Sequence, residues 1–213
     1  NGLPPHRMAK LGVGRTFQIV HPFAELSVRD NVIVALGGNH YHGSFFRSLT
    51  SWRKKEVIEE AAGQGITYFD TAPAYSGSQS YYGSFWQGQA HLRASIFQTS
   101  KSAERSYDEA KADLKDSLRT LGLDSLDLWQ IHDVRSRQDI EEIEGPGGAL
   151  RAFLEAKESG LVRFLGVTGH HDPSILLYAV ENWPVDSVLM PVNPAEAVLG
   201  GFLDRVMPAA MDR

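Results

Sequence analysis

Six short apolar runs, rich in β-branched and aromatic residues, recur along this chain, and most are separated by helical patterns. They are "NVIVALGG" from residue 31, "ITYFD" (66 to 70), "SIFQTSK" (95 to 101), "LDLWQIHD" (126 to 133), "VRFLGVTG" (162 to 169) and "DSVLMPVNP" (186 to 194). Runs this short, closed by glycine or by polar residues, predict strands. Between the first two, "SWRKKEVIEEAAGQG" sets Val57, Ile58, Ala61 and Ala62 on one helical face and stops at glycine. After the third, Tyr107, Ala110, Leu114, Leu118 and Leu121 form one stripe; after the fourth, "ALRAFLEAKESG" is a helix ending at Gly160. Asp172 and Pro173 supply an N-cap and a first-turn proline for the helix "SILLYAVEN". "GPGG" at 145 to 148 has no phosphate-loop pattern and reads as a loop. Strand-helix repetition of this kind predicts a parallel sheet covered by helices.

Composition narrows the function classes. The chain has 213 residues, 42% hydrophobic and 22% charged, the balance of an ordinary globular protein. Acidic residues outnumber basic ones, 26 to 21, for a net charge of −5, and no basic block interleaves with aromatics. A nucleic-acid surface is therefore not expected. There is no cysteine, which removes disulfides, thiolate metal sites and thiol nucleophiles together and fits a cytoplasmic setting. No signal-peptide pattern and no apolar run near about 18 residues is found, so neither export nor membrane spanning is expected.

Four of the expected strands carry a polar residue at or just beyond the C-terminal end: Asp70, Lys101, His132 and Thr168. Singly, each has a plain structural explanation as a turn, cap or solvated residue. In a β/α barrel, however, all those ends open on one face, where barrel enzymes do their chemistry. A carboxylate at a buried strand end costs several kcal/mol, roughly, unless a charge answers it. Lys101, on the next strand, is the expected answer to Asp70. Tyr75, on the loop after Asp70, and His132 would look into the same cup.

The stretches "GITYFDTAPAY", "TSK", "SLRTLGLDSLDLWQIHD" and "VRFLGVTGHHDP" resemble the aldo-keto reductases, over roughly residues 57 to 195 or from as early as 31. The resemblance implies a (β/α)8 barrel of TIM type and NADP(H)- or NAD(H)-dependent reduction of small aldehydes and ketones. It matches Asp70, Tyr75, Lys101 and His132 to the family's catalytic tetrad. It also implies nicotinamide contacts at Thr168 and Gly169, where many members carry Asn at the second position, and near Met190 or Asn193. The side chains suit that chemistry: hydride arriving at a carbonyl carbon leaves negative charge on oxygen, which needs a proton donor. A phenol with a pKa near ~10 is a reluctant donor and acceptor at neutral pH, and a neighbouring ammonium is expected to lower it. His132 would orient the carbonyl. A metal site of His132 with His170 and His171 is the competing idea; their spacing matches no recognised ligand pattern, so no metal is expected.

Residues 1 to 30 break the rhythm. "NGLPPHRMAKLGVGRTFQIVHPFAELSVRDNV" resembles the Q-loop segment of ABC-transporter ATPases of the branched-chain amino acid type, with Gln18 in the Q-loop position. The phosphate loop GxxxxGK[S/T], the signature motif and the Walker B aspartate are absent from the sequence, so ATP hydrolysis is not expected. The organisation expected is an ABC-like segment at 1 to 30, not an independent domain, ahead of a partial barrel at 31 to 213. Members of the family continue through two further strand-helix units beyond the point reached by Arg213. The expectation is an incomplete barrel of about six strands, open at its edges to self-association, without the region that holds the cofactor's diphosphate and adenosine end. Two functions follow from the sequence: a carbonyl reductase, or a non-catalytic product, either an inactive chimeric fragment or an ABC-transporter-ATPase-derived interaction segment.

Overall fold

The computed structural model describes residues 58, 61–63, 65–75 and 77–213. The expected first strand, the Q-loop-like segment with Gln18 and most of the helix before Gly65 lie outside the described residues.

All described strands belong to the compact unit Ile66–Arg213. They are β1 (Tyr68–Phe69), β2 (Phe97–Ser102), β3 (Leu126–Ile131), β4 (Val162–Thr168) and β5 (Ser187–Leu189), paired in that order and all parallel. Helices connect them: α1 (Ser78–Trp86), α2 (Tyr107–Leu121), α3 (Arg137–Glu144), α4 (Ala149–Glu158) and α5 (Pro173–Asn182), with α6 (Glu196–Leu199) and α7 (Met207–Met211) after β5. Parallel strands that are neighbours both in sequence and in space wind in one sense, which is the topology of an incomplete β/α barrel. Among the described residues, no helix is long and apolar enough to cross a membrane.

The core lies between the sheet and its helices. Trp129 and Ile131 of β3 and Leu165 and Val167 of β4 pack against Leu114 and Leu121 of α2, Ala152 and Phe153 of α4, and Leu176 and Ala179 of α5. Every residue of β3 is buried, because helices cover one face and the sheet's inner face curls over the other. Trp129 and Phe153 stack at a centroid distance of 3.6 Å and 10°. Local chemistry fixes where the helices begin and end. Ser106 caps α2, which stops at Gly122 in the left-handed region (φ 66°); Ser136 and Asp139 form a capping box on α3; Asp172 caps α5 ahead of Pro173, as expected.

The structure corrects several boundaries. Ser95 and Ile96 are not strand: a 3₁₀ turn spans Ala90–Ser95, pinned by the Arg93 guanidinium donating to the Ile96 carbonyl at 2.8 Å, and β2 starts only at Phe97. The run 186 to 194 shrinks to three strand residues, since Pro191 and Pro194 have no N–H to give a ladder. Helices α1 and α3 were not foreseen. In α1, "SQSYYGSFW" has little helical periodicity and is held by tertiary contacts: Gln79 donates to Ser100 (2.9 Å) and Ser117 (2.8 Å), and Gly83 passes so close to α2 that a Cβ would meet the Thr120 carbonyl oxygen at 2.1 Å. "GPGG" is the loop expected, and a Cβ on Gly148 would lie 2.2 Å from the Ile143 carbonyl oxygen.

At the N-terminal ends of the strands, Asp127 joins Arg93 and Arg163 at 2.8 Å each, beside a cavity of about 740 Å³. The polar cup lies at the other end.

Because Phe153 is fully buried and stacked on Trp129, Phe153→Ala is expected to cost about 3–5 kcal/mol of stability. Urea denaturation of the variant beside the parent checks this.

Candidate active site

The cup is built from strand ends. Lys101 is completely buried near the end of β2, and its Nζ donates to Asp70 Oδ1 at 2.6 Å, to Oδ2 at 2.5 Å and to the Thr71 carbonyl at 3.2 Å. Thr99, two residues earlier and so on the same face of the strand, donates its hydroxyl to Asp70 Oδ1. One carboxylate thus answers a buried ammonium and a buried hydroxyl. Tyr75 lies in the turn after β1, with the Lys101 Nζ 4.6 Å from its ring centroid. Its ring meets that of His132 edge-on, at 5.7 Å and 84°. Asp70, Tyr75, Lys101 and His132 therefore converge, as the sequence led one to expect.

His132 follows directly on β3, its N–H donating to the Ser102 carbonyl at 2.8 Å. Arg105 fixes the backbone here, donating to the carbonyls of His132 (3.0 Å) and Asp133 (2.9 Å) and to Asp139 Oδ1 (2.9 Å). Asp133 takes a left-handed conformation, φ 57°, and its N–H donates to Thr168 Oγ1 at 2.8 Å.

Burial pulls the Lys101 ammonium below the ordinary lysine value, and Asp70 opposes that shift. Burial also pulls His132 below its ordinary value, and the Lys101 charge adds to the effect, so its imidazole is neutral at pH 7. Tyr75 reverses the expectation that an ammonium would make it more acidic. Burial, followed by the carboxylates Asp70 and Asp133, pushes its hydroxyl up to about 12. Lys101 sits over the ring, with its charge already matched by Asp70, so the phenol is left among carboxylates in a poorly solvated place.

The four expected nicotinamide contacts are divided. Thr168 is buried at the end of β4, with its hydroxyl oxygen accepting from Asp133. At Gly169 a Cβ would lie 2.9 Å from the Val134 carbonyl oxygen, which explains glycine where an amide side chain was looked for. Met190 is half-buried against the core. Asn193 Oδ1 accepts from the N–H groups of Ala195 (2.9 Å) and Glu196 (3.3 Å) at the start of α6. His170 and His171 do not group with His132; they face Asp133 instead.

Thr99, Arg105, Asp133 and Gln130 escaped the sequence reading. Thr99 was findable, two positions before Lys101. Gln130 stands beside Lys101 in the strand register, and its Oε1 is buried without a hydrogen bond. Arg105 and Asp133 carried no signal, since the groups they hold together, apart from Arg135, are distant in the chain.

A parallel β/α sheet that gathers a carboxylate, a lysine, a tyrosine and a histidine at its strand ends has the architecture of an incomplete β/α barrel with a polar mouth. Residues 34–197 match the model of the aldo/keto reductase family, and the chain belongs to that family. The match starts close to the wider of the two limits read from the sequence. The chain is 34% identical over 130 residues to the NAD(P)H-dependent 6'-deoxychalcone synthase of Glycine max, covering 54% of this chain and 41% of that protein. An aldo-keto reductase from Bacillus halodurans in its holo form superposes with a TM-score of 0.60 at 23% identity, over 73% of this chain and 54% of that one. The Bombyx mori aldo-keto reductase in complex with NADP gives 0.54 at 25% identity, over 68% and 51%. The aligned part thus spans about half the length of these relatives. A separate match of 61 residues is 38% identical to a probable branched-chain amino acid transport ATP-binding protein of Archaeoglobus fulgidus, covering 27% of this chain and 23% of that protein.

Asp70→Asn leaves the Lys101 ammonium without its counter-charge. The loss expected at pH 7 is about 1–3 kcal/mol, moderated because the Asp70 side chain is about one-third exposed. In that variant the folded state gives up the lysine proton before the unfolded chain does, so stability should recover as pH rises towards the ordinary lysine value of 10.5. Denaturant titrations at neutral and alkaline pH check both statements.

Proposed function

We propose that this chain carries the catalytic end of a carbonyl reductase that turns small aldehydes or ketones into alcohols with NADP(H) or NAD(H). The observation that carries the reading is the buried Lys101–Asp70 pair under the Tyr75 ring, with the His132 imidazole against that ring's edge. The nicotinamide cofactor, when bound, supplies the hydride.

The chain's own groups supply everything else in the reaction. Tyr75, with its hydroxyl pushed up to about 12, holds its proton throughout the neutral range and donates it to the carbonyl oxygen as negative charge develops there. Neutral His132 offers an N–H to the same oxygen and orients it. Lys101 is a fixed positive charge beneath the phenol, and Asp70 and Thr99 keep it in place.

The residues of the cup fit the nicotinamide end. The Thr168 hydroxyl accepts from Asp133 and keeps its own proton to donate, and Gln130 Oε1 is a buried acceptor without a donor. Gly169, packed closely against the Val134 carbonyl and Leu176, offers no side-chain amide. Met190 and Asn193, after β5, complete the proposed lining. Contacts to the diphosphate and adenosine end are assigned to the part of the family fold beyond the aligned half. The cytoplasm, with its nicotinamide pool, is the setting this reading implies. The ABC-like segment adds no ATP chemistry to it, and we read that segment as the product of a junction between unrelated genes.

NADPH fluorescence, followed by aldehyde-dependent loss of NADPH absorbance, tests the proposal. Tyr75→Phe should lower turnover by about 10²–10⁴-fold while NADPH binding stays unchanged. Full turnover in that variant would remove Tyr75 from its role, and no effect of the protein on NADPH fluorescence would count against the whole reading.

A further inference from the structure

The loops after β3 and β4 bring three donor atoms together beside the cup. Asp133 Oδ1 lies 3.4 Å from His170 Nδ1 and 3.5 Å from His171 Nε2. One ligand atom from each of the three side chains lies within 4.8 Å of the other two, and among the described residues this is the group of histidines and carboxylates so arranged. Asp133 Oδ1 is shielded from water and accepts no hydrogen bond. A shielded carboxylate oxygen costs free energy unless a positive partner answers it.

The rest of Asp133 is committed to holding that oxygen in place. Its Oδ2 accepts from the Arg135 guanidinium, Nε at 2.8 Å and Nη2 as well. Its N–H is held by Thr168 and its carbonyl by Arg105, in a left-handed conformation that a non-glycine residue adopts at some cost. The two histidines are adjacent in sequence, yet they turn opposite nitrogens to one point. Their side chains are 40% and 43% exposed, so the point is open to solvent from the histidine side.

We propose that Asp133, His170 and His171 form a binding site for a divalent transition ion of the zinc type, with its remaining position open to water. Zinc takes nitrogen and carboxylate oxygen at about 2.0–2.1 Å, and two ligands of a tetrahedron stand about 1.6 times that distance apart, roughly 3.3–3.4 Å. The Asp133–histidine separations of 3.4 and 3.5 Å sit at that edge length. Arg135 is the outer partner that orients the carboxylate. A bound ion would clamp the loop after β3 to the loop after β4, directly beside Thr168. The site does not depend on the carbonyl-reductase reading, because its ligands are distinct from Asp70, Tyr75, Lys101 and His132.

The test is titration of the chelator-treated full chain with Zn²⁺ by calorimetry and with Co²⁺ by visible absorption, which reports coordination geometry. One equivalent should bind with the absorption of a four- or five-coordinate cobalt ion. Asp133→Asn and His171→Gln should abolish that equivalent, and Arg135→Gln should weaken it by about tenfold or more. His91→Gln, an exposed histidine elsewhere, should leave it unchanged. Circular dichroism and the unfolding midpoint establish that each variant is folded. Should Asp133→Asn also unfold the chain, His171→Gln alone decides, because His171 is exposed. Absence of a bound equivalent in the parent, or an equivalent untouched by His171→Gln, would overturn the proposal and leave the cluster as an ordinary imidazole–carboxylate pairing.

Discussion

The cup depends on one ion pair. Lys101 is wholly buried, and an ammonium in that position is tolerable only because Asp70 meets it with both carboxylate oxygens while Thr71 accepts a further hydrogen bond. That requirement fixes the spacing of β1 and β2 at their C-terminal ends and sets the direction of the loop that carries Tyr75. It also limits what Lys101 can do electrostatically. Its charge is matched by a carboxylate, and burial together with Asp70 and Asp133 leaves the Tyr75 hydroxyl raised to about 12.

Around this pair the backbone is arranged with little slack. Arg105 reaches from the start of α2 to two carbonyls at the end of β3, so the approach to α2 and the histidine-bearing strand end move together. Gly169 sits where a side chain would strike the Val134 backbone carbonyl, which lets the loops after β3 and β4 close on each other. This closeness places Asp133 against Thr168 on one side and against His170 and His171 on the other. The rim of the cup therefore couples groups from two successive strand-helix units.

Membership of the aldo/keto reductase family and the incomplete barrel agree with one another, but they bear on different questions. The family match spans residues 34–197, whereas the structural neighbours at about 23–25% identity speak to architecture. What the chain can do chemically rests on the named side chains and their distances. The aligned half contains the strand ends that carry Asp70, Lys101 and His132, and the longer relatives extend well beyond it.

The sequence by itself determined the alternation of elements, the parallel sheet and the four converging side chains. Strand hydrophobicity, glycine stops and the caps at Ser106 and Asp172 are local properties, and Asp70, Lys101 and His132 fall at strand ends by simple position. Only the tertiary structure decided the rest. Helix α1 exists because Gln79 and Gly83 find partners on β2 and α2, not because its nine residues favour a helix. The acidity of Tyr75 depends on which charges surround it and how deeply it lies. The grouping of His170 and His171 with Asp133 needed a left-handed backbone turn, Arg135 two residues on and Arg105 from a distant part of the chain. Periodicity reports what a residue's near neighbours in the chain require of it. Burial, charge matching and close backbone approach are set by residues tens of positions away, so they appear only once the chain has folded.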